Sequence, residues 1–140
     1  MLLDERIYLL MNINGVHHIA IDTTDFRKSI SFYTDTLKMQ FVDEVDLGGD
    51  YVAYIKSSDG VLLELFRHKP DTFPIVQSSN EIGVKHLAFS VDNIESWNEY
   101  LKNLNIKFTL ELLYIQQINK RVLLIEGPDH VIIELCQEMA

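Results

Sequence analysis

From Asn14 onward, the apolar positions of this chain follow one plan twice. Val16 to Asp22 alternates at the period of a strand and is rich in β-branched and apolar residues. Phe26, Ile30, Tyr33 and Leu37 then recur at spacings of four, three and four, which aligns them on one stripe of a helix that Asp25 can cap. Phe41 to Val45 and Tyr51 to Ile55 predict strands around a turn at Gly48-Gly49-Asp50, and Asp59-Gly60 turns into a further strand, Val61 to Phe66. The second round begins with a strand over Val84 to Val91. Asp92, followed three residues later by Glu95, reads as a capping-box start. Ile94, Trp97, Leu101 and Leu104 supply the matching helical stripe, and Ile106 to Leu113, Arg121 to Ile125 and Val131 to Cys136 the last strands.

Strand, helix and three strands, repeated once, is an α+β architecture of two βαβββ modules. The copies lie about 70 residues apart, too far for a solenoid repeat of roughly 20 to 50 residues. Module one spans 14–66, a connector with Pro70 and Pro74 spans 67–82, and module two spans 83–140, all within a single domain over 14–140. Residues 1–13 precede the repeat as an N-terminal arm, either an ordered arm or strand or an extension ahead of Met11 as an alternative start.

The repeat extends to the polar residues. Val16-His17-His18-Ile19-Ala20 is echoed by Val84-Lys85-His86-Leu87-Ala88, and Ser58-Asp59-Gly60-Val61-Leu62-Leu63-Glu64-Leu65 by Pro128-Asp129-His130-Val131-Ile132-Ile133-Glu134-Leu135. His18 precedes Glu64 by 46 residues and His86 precedes Glu134 by 48. Strand side chains alternate between faces, so His18 goes with Ala20 and His17 points the other way. Lys85 occupies the place of His17 in the second copy, so the repeat selects His18 and His86. Glu64 shares a face with Leu62 and Phe66, and Glu134 with Ile132 and Cys136.

A buried carboxylate without a partner costs several kcal/mol, and two would consume much of a net stability of roughly 5–15 kcal/mol. Either both face water or a cation neutralises them. Two imidazoles with two carboxylates suit nickel, cobalt, zinc, manganese or iron(II) better than calcium or magnesium. Four such ligands can close a tetrahedral structural zinc or fill four of six octahedral positions. The lack of Cys among them speaks against the structural zinc.

Composition narrows the field further. The formal charge is −9, with 12 basic residues scattered among 21 acidic ones, which argues against nucleic acid as a partner. Apolar runs are a few residues long, far short of the roughly 20 that a membrane helix needs. Asp4, Glu5 and Arg6 interrupt the one candidate for a secretory leader. A lone cysteine, Cys136, excludes an internal disulfide framework and suits a cytoplasmic location; it reads as a small buried thiol rather than a nucleophile. His68 and His130 fall in loops or turns, while Tyr33, Trp97 and Tyr100 fit the helical core stripes.

The text His18-Ile-Ala-Ile-Asp-Thr-Thr-Asp25-Phe-Arg-Lys-Ser29-Ile-Ser-Phe32-Tyr33, then Leu63-Glu64-Leu65, His86-Leu-Ala-Phe-Ser-Val-Asp92-Asn and Gly127 through Leu135 resembles the vicinal oxygen chelate superfamily. That group includes glyoxalase I, methylmalonyl-CoA epimerase, extradiol dioxygenases and the fosfomycin- and bleomycin-resistance proteins. Dioxygenase and fosfomycin-type members are expected to use two His and one Glu, and epimerases often carry Gln where Glu64 stands. The His, Glu, His, Glu set is most similar to bacterial glyoxalase I, a lyase that isomerises the hemithioacetal of methylglyoxal and a thiol.

The resemblance implies a divalent metal on His18, Glu64, His86 and Glu134, acting as a Lewis acid that stabilises an enediolate. It implies Glu134 as the base beside the carbonyl and Glu64 as its lesser partner; a metal-held carboxylate must loosen to act. It also implies a homodimer with shared sites, His18 and Glu64 from one subunit and His86 and Glu134 from its mate. Three positions depart from the glyoxalase I pattern. Asp22 replaces the Arg that binds glutathione, His68 replaces an Asn, and His130 replaces the Gly of a Pro-Asp-Gly turn. An anion at 22 repels a glutathione carboxylate, which leaves another thiol hemithioacetal or a related small oxygenated molecule as substrate. An acyl-CoA epimerase and a non-catalytic drug-binding protein of the bleomycin-resistance type are the alternatives.

Overall fold

The computed structural model describes residues 5–70 and 82–140, so most of the predicted connector and the first residues of the arm lie outside the described residues. The described part of the arm contains a short helix, α1 (Glu5–Leu9), where an ordered arm, strand or extension was expected. The first module runs β1 (His18–Thr23), α2 (Phe26–Ser31), β2 (Gln40–Asp46), β3 (Tyr51–Lys56) and β4 (Leu62–Arg67). The second runs β5 (Leu87–Ser90), α3 (Ile94–Asn103), β6 (Phe108–Ile115), β7 (Lys120–Glu126) and β8 (Ile132–Glu138). Each module forms its own four-stranded sheet, ordered β1-β4-β3-β2 and β5-β8-β7-β6. This is the α+β architecture of two βαβββ modules expected from the repeat. No helix among the described residues is long and apolar enough to cross a membrane.

Both sheets combine two antiparallel hairpin pairings with one parallel pairing, β1 with β4 and β5 with β8. A parallel partner cannot be reached by a tight turn, so the chain crosses over through the helix and returns through the hairpins. The first hairpin turn ahead of β4 uses Gly60 at φ 99°, a conformation that glycine adopts without penalty. In the second copy two side-chain-bearing residues, Asp129 and His130, take φ 58° and 61°. The turn therefore does differ where His130 replaces glycine, and its imidazole pairs with Glu126.

Helix α2 starts as expected, with the Asp25 carboxylate accepting from the Lys28 amide at 3.1 Å. It then widens into a π-helical turn over Phe32–Thr36, in which the Leu37 amide donates to the Phe32 carbonyl at 3.0 Å. The extra residue per turn brings Phe32 inward beside Tyr33, and both are buried. Phe32 lies so close to Gly127 that a Cβ there would sit 2.9 Å from its ring, which is why only glycine fits.

The predicted start of α3 needs correction. Asn93, not Asp92, is the cap; its side chain accepts from the Ser96 amide at 3.2 Å, and Glu95 pairs instead with Arg121 at 2.7 Å. Ile94 is fully buried and must be the first helical residue, which leaves position 93 as the cap. Leu104, expected on the buried stripe, lies beyond the last helical turn and is 46% exposed. β1 and β5 start at His18 and Leu87 rather than at Val16 and Val84, because the exposed valines precede the first strand pairings.

One core joins the modules. Ala53, Ile55, Leu63 and Leu65 of the first sheet and Leu123, Ile125, Ile133 and Leu135 of the second cluster with Phe26, Phe32, Tyr33, Ile94 and Leu101 from the helical segments. Full burial of each large aliphatic side chain contributes roughly 1.5–3 kcal/mol. Polar links reinforce the junction. The Asp129 carboxylate accepts from the Thr24 amide at 3.1 Å and its hydroxyl at 2.5 Å, and the Tyr100 hydroxyl donates to the Asp35 carbonyl at 3.2 Å.

The cap assignment has a direct check in urea unfolding. Asn93→Ala is expected to cost about 1 kcal/mol by orphaning the Ser96 amide, whereas Asp92→Ala stays within about 0.5 kcal/mol. Reversal of that order would contradict the cap.

Candidate metal centre

Strand pairing decides where the repeated His and Glu side chains meet. β1 runs beside β4 with Ala20 opposite Glu64 and His18 opposite Leu62, so imidazole and carboxylate occupy neighbouring places on one sheet face. His18 Nε2 lies 3.9 Å from Glu64 Oε1. In the second sheet Ala88 stands opposite Glu134, and His86, one residue ahead of β5, brings Nε2 to 3.6 Å from Glu134 Oε2. Both pairs lie on the sheet faces opposite the helix-packed core, because alternation sends Leu63, Leu65, Ile133 and Leu135 inward.

Within one chain the four residues form two pairs rather than a single cluster. Among the described residues, no group of three or more His, Cys, Asp or Glu side chains gathers closely enough to hold a metal ion. Each half presents an imidazole nitrogen and a carboxylate oxygen toward the same side of its strand.

Two neighbours of these pairs were not singled out from sequence. The Tyr54 hydroxyl donates to Glu64 Oε2, and that bond, with burial adding to it, pushes the tyrosine hydroxyl up from its ordinary value. The signal was present in the spacing: Tyr54 and Glu64 lie five residues either side of Asp59, the middle of the β3–β4 turn, and so face each other across the hairpin. The other neighbour is His17, whose Nδ1 lies 2.9 Å from His18 Nδ1. Alternation suggested that its ring pointed away; instead the irregular backbone before β1 turns it edge-on to His18. A partner on the second ring nitrogen can fix the orientation of a ligand imidazole.

The remaining candidates sort cleanly. Cys136 is half-buried, and burial followed by the charge of Glu134 pushes its thiol up, which suits a protonated packing residue. Lys107, at 2.8 Å, and then His130 flank Glu126 and hold it below the usual carboxylate range. His68 sits just past β4. Tyr33 is buried, and Trp97 and Tyr100 pack edge to face at 5.8 Å on α3, so all three belong to the packing stripes. Asp22 lies on the same sheet face as Glu64, where Ala20, Asp22, Asp50, Phe66, Arg67 and Lys69 line a cavity of about 360 Å³. Lys69 pairs with Asp50 at 2.7 Å, and the Arg67 guanidinium stacks 4.4 Å over the Tyr51 ring.

Comparison with known proteins places this geometry in context. Residues 15–135 match the model of the Glyoxalase/Bleomycin resistance protein/Dioxygenase superfamily. The uncharacterized protein YaeR of Escherichia coli K12 is 30% identical over 134 residues, covering 92% of this chain and 100% of that protein. A Vibrio parahaemolyticus protein described as a probable lactoylglutathione lyase is 25% identical over 134 residues, covering 91% of this chain and 93% of its own. The crystal structure of the glyoxalase family protein from Enterococcus faecalis superposes with a TM-score of 0.76 at 27% identity, covering 90% of this chain and 99% of that one.

The influence of Glu134 on Cys136 gives a check on the second pair. In metal-free protein, Glu134→Gln is expected to lower the thiol pKa and so speed iodoacetamide alkylation of Cys136 near pH 8, followed by mass spectrometry. An unchanged rate would mean that the carboxylate does not face that thiol.

Proposed function

The chain belongs to the Glyoxalase/Bleomycin resistance protein/Dioxygenase superfamily, and we propose that it is a divalent-metal-dependent lyase or isomerase of the glyoxalase I type. The observation that carries this reading is the pairing of His18 with Glu64 and of His86 with Glu134 at equivalent places of a duplicated sheet. Both acids sit in strands whose flanking residues are apolar, and Glu64 is only 9% exposed. Its carboxylate meets the His18 imidazole and the Tyr54 hydroxyl. A carboxylate held that way needs a counter-charge, and two imidazoles with two carboxylates are the donor set of a borderline divalent ion such as nickel, cobalt, zinc, manganese or iron. The residues fit such an ion.

When bound, the ion would supply Lewis acidity to adjacent oxygens of a thiol hemithioacetal or a related small oxygenated substrate. Glu134 takes the proton from the carbon beside the carbonyl, exchanges it with solvent, and delivers a proton to the former carbonyl carbon while the hydroxyl proton passes to the neighbouring oxygen, so the reaction is an isomerisation with no change in oxidation balance. Glu64 is the lesser partner in that transfer. The likeness to the probable lactoylglutathione lyase supports this class of substrate. Asp22, on the wall of the adjoining cavity, stands where the glyoxalase I pattern has a glutathione-binding Arg, which favours a thiol adduct other than that of glutathione.

A single chain offers two half-sites, so this reading requires a homodimer in which His18 and Glu64 of one protomer face His86 and Glu134 of its partner. Exposed apolar side chains at Leu9, Leu10, Met11, Ile13 and Val16 provide surface for such an association.

Two measurements test the reading. Chelation is expected to abolish solvent-deuterium incorporation into hemithioacetal substrates, and nickel, cobalt, zinc, manganese or iron to restore it. Glu134→Gln should slow it by about 10²–10⁴-fold with metal still bound. Absence of incorporation in metal-loaded protein across thiol hemithioacetals would sink the glyoxalase reading. Shared sites are tested by mixing two inactive variants, His18→Ala/Glu64→Ala and His86→Ala/Glu134→Ala. Random exchange of subunits rebuilds one intact site in each mixed dimer, or roughly a quarter of wild-type activity. No recovery after complete exchange would exclude sharing.

A further inference from the structure

The two carboxylates of the candidate centre are restrained unequally. Across the β3–β4 hairpin Tyr54 stands opposite Glu64; its hydroxyl holds Oε2 while Oε1 faces His18. The β7–β8 hairpin has the same register, but Leu124 stands opposite Glu134. Leucine has no donor. The imidazole of His86 comes to 3.6 Å from Glu134 Oε2, beyond hydrogen-bond reach. The duplication thus repeats backbone and carboxylate, while among the described residues the facing strand gives a hydroxyl anchor to Glu64 and not to Glu134.

We propose that Tyr54 is a positioning residue that pins Glu64 as a fixed ligand with one oxygen turned to the ion, whereas Leu124 leaves Glu134 able to turn away and carry the proton. The proposal rests on the reading of these four side chains as a metal centre. A carboxylate whose second oxygen is already engaged presents one lone-pair face to the site and loses less freedom on binding. The same restraint would hinder a base, which has to leave the ion and approach carbon. Dividing the two tasks between the acids removes that conflict, and the division is written in the residue opposite each one.

Cobalt(II) titration of the full chain tests this, read by calorimetry and by the visible absorption of the bound ion. Tyr54→Phe deletes one oxygen and keeps the ring. It is expected to weaken cobalt binding about 10–100-fold and to alter the absorption, because Oε2 of Glu64 is released. Unchanged affinity, or a loss with no change in absorption, would overturn the positioning role. A second comparison sets Leu124→Tyr against Leu124→Phe, which differ only by the hydroxyl. The tyrosine variant should bind cobalt about 10-fold more tightly than the phenylalanine variant, and equal affinities would overturn the claim that Leu124 leaves Glu134 unrestrained. Failure of the wild-type chain to take up cobalt would instead remove the metal reading itself, and this proposal with it.

Discussion

Parallel pairing of the first and last strands of each module is the constraint on which the rest of the molecule depends. Residues 18 and 64 are far apart in the chain, and only the crossover through α2 and back through two hairpins sets β1 beside β4 with Ala20 opposite Glu64. Side chains alternate with a period of two, so a slip of one residue would drive Glu64 into the aliphatic core and turn Leu63 and Leu65 to the open face. The core therefore enforces the register, and the register places imidazole beside carboxylate. Stability and chemistry share one determinant.

The duplication shows how much of a site belongs to backbone and how much to single side chains. Both modules share strand order, crossover and the position of one His and one Glu. They differ in what surrounds those residues: His17 against Lys85 beside the imidazole, Tyr54 against Leu124 opposite the acid, Gly60 against His130 in the turn. None of these differences disturbs the sheet, because each lies at an edge, on the open face or in a turn, where packing tolerates change. Equivalent carboxylates can thus acquire different environments without cost to the fold.

Most of the architecture was legible in the chain because it rests on periodicity. The α2 stripe with its Asp25 cap and the hairpins around Gly48-Gly49 and Asp59-Gly60 depend on local spacing alone. What was misread depends on packing between distant segments. Asp92 and Asn93 are equally good caps by type, and burial of Ile94 chooses between them. Val84 looks like strand but precedes the first residue of β5 that finds a partner. The π-helical turn follows from the need to place both Phe32 and Tyr33 inside, with Gly127 opposite, which no local pattern encodes. At the candidate centre, repetition identified the His and Glu pairs, whereas Tyr54 required counting outward from a turn and His17 required the non-strand backbone ahead of β1.

The division of the four side chains into two pairs bears on how a centre of this kind can assemble. Each chain carries a formal charge of −9, and each half-site adds a carboxylate to an open sheet face. Bringing a Glu64 half and a Glu134 half together without a cation sets like charges against each other in a partly desolvated cleft, which is unfavourable. A divalent ion reverses the sign of that contact. On the proposed reading, metal binding and subunit association are therefore linked, each strengthening the other by the same free energy. The imidazoles fit that role because they contribute donors without adding negative charge. A set of four carboxylates would hold an ion too, but the cation-free halves would then repel far more strongly.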